Sequence, residues 1–338
     1  MLRIILVFIF AVTTLLYSQV DSTKTEGDYI IFPFGFYTTD TSVALGTFFN
    51  YNCNDEDKIF SNLIYTFKDQ KIFFVITEKK IKSIFIENKF WFEDYYLEYY
   101  GVGNNTELGE EFKYGYFFLE NLIDVGYNFY GEWKAFLSLN NYYYSPGFNS
   151  DDILELYQKD IYSTGVGVNI RYDSVTDDFY RDGILFENSF LYFPESLGKS
   201  NSLNIFESQI AYYKSINESA INLQLVTRIV GGEPHYHQLS SIGGSSILRG
   251  YPERRYVDRN MMAFQSEYDF KVYKAVSLAS FLSIGDVFDN VDNLSLKNIK
   301  LGYGGGMIYR IKDMGIRVEA ASSLEGNLSI IITGARSF

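Results

Sequence analysis

A period of two runs through this chain, and it limits the fold more than any other feature. Val166, Val168, Ile170 and Tyr172 alternate with Gly165, Gly167, Asn169 and Arg171. Met262, Phe264, Ser266, Tyr268 and Phe270 alternate with Ala263, Gln265, Glu267, Asp269 and Lys271. Leu301, Tyr303, Met307 and Tyr309 alternate with Gly302, Gly304, Gly306 and Arg310, and Ile316, Val318 and Ala320 with Arg317, Glu319 and Ala321. Neighbouring side chains of a strand point to opposite faces, so each set occupies one face. Sixteen such segments are expected, at 29–37, 43–51, 59–67, 70–79, 83–92, 113–129, 133–143, 162–173, 183–193, 202–213, 219–230, 260–271, 276–287, 299–310, 315–323 and 328–338. The first seven have the least distinct borders, because 83–130 is almost continuously aromatic.

Two architectures satisfy this pattern. A sandwich buries the apolar face in a core, whereas a membrane barrel turns it to lipid and keeps the polar face inside. Composition decides between them. With 30 Tyr, 30 Phe and 2 Trp the chain is 18% aromatic, which suits interfacial belts. Its mean hydropathy is only −0.08, far from a bundle of apolar helices. The start also reads as an export signal: Arg3, the apolar run Ile4–Leu16, then Tyr17-Ser18-Gln19. As a helix that run would cover roughly 20 Å, short of the ~30 Å hydrocarbon core. The expected organisation is a signal peptide over 1–18, a short periplasmic segment over 19–28 and a barrel over 29–338. The expected fold is all-β: a sixteen-stranded antiparallel transmembrane barrel in the bacterial outer membrane, in contact with its lipids. An even strand number returns both ends to the periplasmic side. Long connections then fall outside, at 93–112, 144–161, 194–201, 231–259 and 288–298. Short ones fall inside, although 52–58 and 174–182 read as longer turns.

Acidic residues outnumber basic ones 42 to 29, a net charge of −13 that excludes a nucleic-acid partner. A lone cysteine, Cys53, excludes a disulfide framework and a cysteine-rich metal site. Glu233, His235 and His237 share one strand parity and could face a metal, but three candidates in a loop seldom close a site. Asn54-Asp55-Glu56-Asp57 carries calcium-type oxygens yet reads more simply as a solvated turn. The histidines occur nowhere else, so no nucleophile and base pair is set up. Neither a catalytic residue, a cofactor nor a metal is expected.

The longest outside connection contains Gly243-Gly244-Ser245-Ser246-Ile247-Leu248-Arg249-Gly250-Tyr251. Gln265-Ser266-Glu267-Tyr268, Phe281-Leu282-Ser283-Ile284-Gly285-Asp286 and Gly302-Tyr303-Gly304-Gly305-Gly306 follow, and the last strand ends at Phe338. This order resembles the C-terminal barrel of the BamA/TamA-type outer-membrane assembly and translocation superfamily, the bacterial surface antigen family. Its mark is a [V/L/I]-R-G-[F/Y] tetrapeptide in the sixth outside loop with five strands after it. The specific part spans 243–338 and covers the barrel alone, without the POTRA domains of assembly members.

The resemblance implies that the sixth loop folds into the lumen and that Arg249, within Leu248-Arg249-Gly250-Tyr251, meets acids of the strands 260–271 and 276–287. Glu267 fits one position. Ser283 stands where the family's F-x-D-x-G has its acid, between Phe281 and Gly285, and Asp286 has the wrong parity to replace it. Arg249 is therefore expected to hold at most one carboxylate. Gly243 and Gly244 belong to the loop, and Phe338 resembles the assembly signal. The implied role is non-enzymatic assembly or translocation of protein or lipid, with a protein client or periplasmic partner, as monomer or homodimer. A porin-like uptake channel and a surface-binding scaffold are the alternatives.

Overall fold

The computed structural model describes residues 28–38, 42–54, 57–107, 109, 111–147, 159–176, 181–198, 202–294, 297–311 and 314–334. The expected leader 1–18, residues 19–27 and Phe338 lie outside them. So do Asp55 and Glu56 of the acidic tetrad Asn54–Asp57, whereas the Asp57 carboxylate accepts from the Lys80 amide at 3.1 Å.

One sheet of sixteen strands makes up the wall. Its strands are β1 (Asp28–Thr38), β2 (Ser42–Asn54), β3 (Asp57–Thr66), β4 (Lys71–Ile81), β5 (Ile84–Tyr99), β6 (Phe112–Tyr130), β7 (Trp133–Gly147), β8 (Ile161–Asp173), β9 (Gly183–Phe193), β10 (Leu203–Ile216) and β11 (Ser219–Gly232). Two short strands, β12 (Ser240–Ile242) and β13 (Tyr256–Asp258), pair only with each other inside the next connection. The wall resumes with β14 (Asn260–Tyr273), β15 (Val276–Phe288), β16 (Lys300–Ile311), β17 (Met314–Ser323) and β18 (Leu328–Gly334). Each wall strand is antiparallel to its sequence neighbour, except that β11 pairs with β14 across the loop. The sheet curls until β1 and β18 are neighbours in space. Among the described residues no ladder of hydrogen bonds joins these two strands.

The chemistry of the turns explains why one end of the barrel is short-looped. Lys82, Gly131, Asn217 and Lys274 each open a two-residue connection with φ between 43° and 58°. Positive φ at that position matches a hairpin turn to the twist of its strands. The connection expected as a longer turn at 52–58 is shorter than read, because β2 runs to Asn54 and β3 starts at Asp57. β5 and β6 are longer than read, extending to Tyr99 and starting at Phe112.

The apolar alternation faces outward. Leu137, Val166, Val168, Ile170, Met307, Tyr309, Ile316, Val318 and Ile330 are exposed, and they form the surface lipid would cover. Near the short-turn end Trp133 packs its ring on Tyr172 and Phe186, at 5.1 and 5.8 Å, as part of an aromatic belt. The buried core lies inside the barrel. Tyr95, Leu97, Tyr114, Tyr116, Phe118, Tyr142 and Tyr144 line the wall and pack on Tyr236, Leu239 and Val257 of the β11–β14 connection.

Candidate functional site

The connection between β11 and β14 enters the lumen as a hairpin on the β12–β13 stem. Its tip is shaped by backbone that ordinary residues avoid. Gly243, Gly244 and Gly250 have φ of 116°, 104° and 103°, and Leu248 has 59°. The Gly243 and Gly244 amides close the turn on the carbonyls of Ile247 and Tyr251, at 3.2 and 3.1 Å. At Gly250 a Cβ would sit 2.5 Å from the Ser322 carbonyl oxygen of β17. At Gly302 of β16 it would strike the Arg249 carbonyl. These two glycines let the tip lie directly against the wall.

That contact brings Arg249 to a buried ion cluster. One guanidinium nitrogen donates to both Glu319 oxygens at 2.9 and 3.0 Å, and the other donates to Glu267 at 2.8 Å. Arg317 donates to Glu267 at 2.8 and 2.7 Å and to Glu319 at 3.0 Å, and lies 3.6 Å from Asp269. All five side chains are almost completely buried. The Phe281 ring lies under Arg249, 3.7 Å from its guanidinium carbon, a cation–π contact strengthened by the lack of water. Phe281 in turn packs on Ala321 and on Ile331 of β18. Leu248 is fully buried beside Ile242, Tyr251 and Tyr256, and the Tyr251 hydroxyl donates to the Leu301 carbonyl at 3.3 Å.

Arg249 thus holds two carboxylates, against the single one expected from the sequence. The second comes from β17, two strands away from Ser283. Ser283 donates instead to the side-chain oxygen Oε1 of Gln265 at 3.1 Å. The Gln265 amide donates to Gln224 and to the Ser246 carbonyl of the loop, each at 2.9 Å. Ser283 supports the loop through a neutral relay, so it is not a vacancy in the ionic cluster. Gly285 stands beside Ala263 in the ladder, where a Cβ would lie 3.2 Å from the Met262 carbonyl. Sequence reasoning missed Arg317 and Glu319. Their signal was present: they share the polar parity of 315–323, directly before the last strand.

Higher in the lumen the same loop joins the other connections. Arg255 donates to the Thr106 side chain and carbonyl at 2.7 and 2.9 Å and pairs with Glu325 at 3.3 Å. Gly103 bridges to Val257, and Asn104 donates to the Val287 carbonyl at 3.4 Å. The two histidines, read as candidate ligands in a surface loop, are buried in the lumen. His237 stacks on Tyr144 at 4.5 Å and its Nδ1 meets the Tyr142 hydroxyl at 2.7 Å. Burial, with Arg254 and Arg228 nearby, pushes its pKa well below the usual histidine value. Burial also pushes His235 down to about 4. Among the described residues no three His, Cys, Asp or Glu side chains come together as a metal site.

A sixteen-stranded antiparallel wall, an apolar outer face and a lumen filled by one clasped loop define an outer-membrane β-barrel. Comparison of structures gives the type. The chain is similar to BamA from Haemophilus ducreyi lacking POTRA domains 1–3, with a TM-score of 0.66 at 12% identity, covering 92% of this chain and 71% of that one. It is also similar to CdiB from Escherichia coli, with a TM-score of 0.64 at 12% identity, covering 94% and 69%. CdiB from Acinetobacter baumannii gives 0.62 at 12% identity, covering 91% and 59%. The chain therefore has the fold of BamA- and CdiB-type bacterial outer-membrane barrels and spans between 59% and 71% of those neighbours' lengths. No protein-family model matches the sequence, and no curated protein does.

Proposed function

We propose that this barrel inserts, assembles or moves protein or lipid at the outer membrane, mechanically and without bond-breaking chemistry. The observation that carries this reading is the seam. β1 and β18 are neighbours, yet no ladder joins their described residues. Edges with free N–H and C=O groups can template an incoming strand. The clasp braces the wall behind that edge, since Arg249 sits on Phe281 and Phe281 packs on Ile331 of β18. Arg249 in this reading is a lock that keeps the last strands in place while the seam works. The partner is then a protein client or a periplasmic protein.

Photo-crosslinking residues at 31 in β1, 330 in β18 and 168 in β8, each on the outer face, test this in native membranes. Adducts to other membrane components should concentrate at 31 and 330. Equal yields at all three positions, together with steady ohmic conductance of the purified barrel in planar bilayers, would reject the reading in favour of a passive channel.

A further inference from the structure

The two strands that flank the seam differ in what their edges offer. The Phe67 amide donates to the Val43 carbonyl at 2.9 Å, so Val43 of β2 turns its backbone groups to β3. Backbone groups of successive strand residues point to opposite sides, and Ala44, Gly46 and Phe48 therefore turn theirs to β1. Their ladder partners are Phe36, Phe34 and Phe32. The alternate residues of β1, Tyr29, Ile31, Pro33, Gly35 and Tyr37, are left with their backbone groups on the seam side. Pro33 has no N–H, so the donor row of this edge is broken at its middle residue. Pro194, Pro234 and Pro252 lie in connections and Pro146 lies at the end of β7, so Pro33 alone stands mid-strand. The edge of β18 is unbroken. The Ser323 amide donates to the Asn327 carbonyl at 3.3 Å, which turns the odd-numbered residues of β17 to β18. Ala321, Glu319 and Arg317 face Ser329, Ile331 and Thr333 in that ladder. Leu328, Ile330, Ile332 and Gly334 then carry the seam-side groups, and each has its N–H. This strand is also held in place, since Ile331 packs with Phe281 and Ala321, and Glu325 of the preceding turn pairs with Arg255 at 3.3 Å.

We infer that β18 is the edge that templates a client and that Pro33 closes β1 to strand addition. The inference rests on the seam reading and assigns its two sides. The occupant is an extended polypeptide strand, antiparallel to β18. Only a peptide backbone supplies both donors and acceptors at every second residue, which is what the groups of Leu328, Ile330, Ile332 and Gly334 require. Its outward residues would be apolar, continuing the surface of Leu328 and Ile330, which are 66% and 46% exposed. Within the membrane an unpaired backbone group cannot turn to water. A strand laid on β1 would leave one of its carbonyls facing Pro33 without a donor, in mid-strand. Proline on an edge blocks pairing for this reason. The same residue accounts for the missing ladder between β1 and β18 among the described residues. The first strand does not zip onto the last, and the groups of β18 stay free for a client. The client then lies beside β1 without being laddered to it, so adducts at position 31 are still expected.

A synthetic peptide of strand length, alternating Val and Thr, is the probe, with one cysteine placed at each position in turn. Purified full-length barrels carry Cys53→Ser and one new cysteine on the outer face, Ile330→Cys on β18 or Ile31→Cys on β1. Disulfide trapping is read in detergent under mild oxidation. The Ile330→Cys barrel should trap the peptide through cysteines at valine positions and not at threonine positions, because laddered strands keep each parity on one face. The Ile31→Cys barrel should give weak yields without that preference. Ile332→Pro added to the first barrel removes a seam-side N–H and no bond to β17. It should lower trapping about tenfold, the loss of one hydrogen bond. Pro33→Thr added to the second barrel should create the valine preference. A valine preference at Ile31→Cys with Pro33 intact would overturn the assignment and leave the seam reading standing. So would trapping at Ile330→Cys that Ile332→Pro leaves unchanged, or a Pro33→Thr barrel without the gain. No preference on either edge would also remove the assignment, and the seam reading would then stand or fall on its own crosslinks in native membranes.

Discussion

The two walls of this lumen solve the same problem in opposite ways. On β14–β17 the inward set is ionic, and two arginines and three acids are held out of water by the loop tip. On β2–β5 the inward set nearer the short turns carries the half-exposed rings Phe48, Phe60, Phe74 and Trp91, while Tyr95 and Leu97 higher on β5 pack on the loop. The difference teaches where the barrel is tightly held and where it is more loosely packed. Buried charges tolerate no missing partner, because each depends on the others for solvation. Half-exposed rings tolerate change, because solvent or a ligand replaces what is lost. The ionic wall is therefore expected to be brittle under mutation, and the aromatic wall permissive.

The sharpest way to break this contrast is Glu267→Ala. Glu267 accepts from both Arg249 and Arg317, so its loss leaves two buried cations to share Glu319 and Asp269. The cost should be about 3–5 kcal/mol in urea unfolding followed by tryptophan fluorescence. Arg249→Ala should cost less, since Arg317 remains to balance Glu267 and Glu319. A smaller cost for Glu267→Ala than for Arg249→Ala would contradict the geometry.

Ser283→Asp comes next. If the clasp lacked an acid, the substitution would stabilise it. With Glu319 already in place and the Ser283 hydroxyl donating to Gln265, a new carboxylate is buried facing an acceptor. The unfolding midpoint should fall by the equivalent of about 1–3 kcal/mol. A rise in the midpoint would mean that Arg249 still seeks a partner on β15.

A milder, pH-dependent effect belongs to the aromatic plug between the walls. His237 titrates well below an unfolded histidine because it is buried. Below about pH 6.5 the unfolded chain takes up a proton that the folded chain refuses. Stability is then lost as pH falls below that value and is fully present above it. Protease nicking within 233–259 should speed up on acidification, and His237→Gln should flatten that dependence. A profile unchanged by the substitution would locate the titrating group elsewhere.

The smallest effect is expected among the half-exposed rings of β2–β5. Phe74→Ala should cost about 1 kcal/mol or less, well under the 3–5 kcal/mol of a fully buried phenylalanine. A larger cost would show that these rings support the fold, and would place both walls in one class.

Particular residues show how far the sequence could be read. The strands after β7 were legible to within a few residues, because Val166–Tyr172 and Met262–Phe270 separate their two faces cleanly. β6 was read to within one residue at each end, but the far end of β5 was not, since aromatic residues fall on both of its faces and blur the period. Glu267 was legible as an inward acid from parity and from the motif around it. Glu319 was equally polar and equally inward, but nothing in linear order says that β17 curves round to face the same arginine.

Alternation by itself determined a strand-built wall with one apolar face, because the period of two is a local property of each segment. The turn residues determined which end is short, again locally. The choice of carboxylates for Arg249, the burial of His237 and the run of rings from Phe48 to Trp91 were decided only by the tertiary structure. Each depends on the curvature of the sheet and on which strands the folded loop crosses. Those are distances between residues far apart in sequence, and no local pattern encodes them.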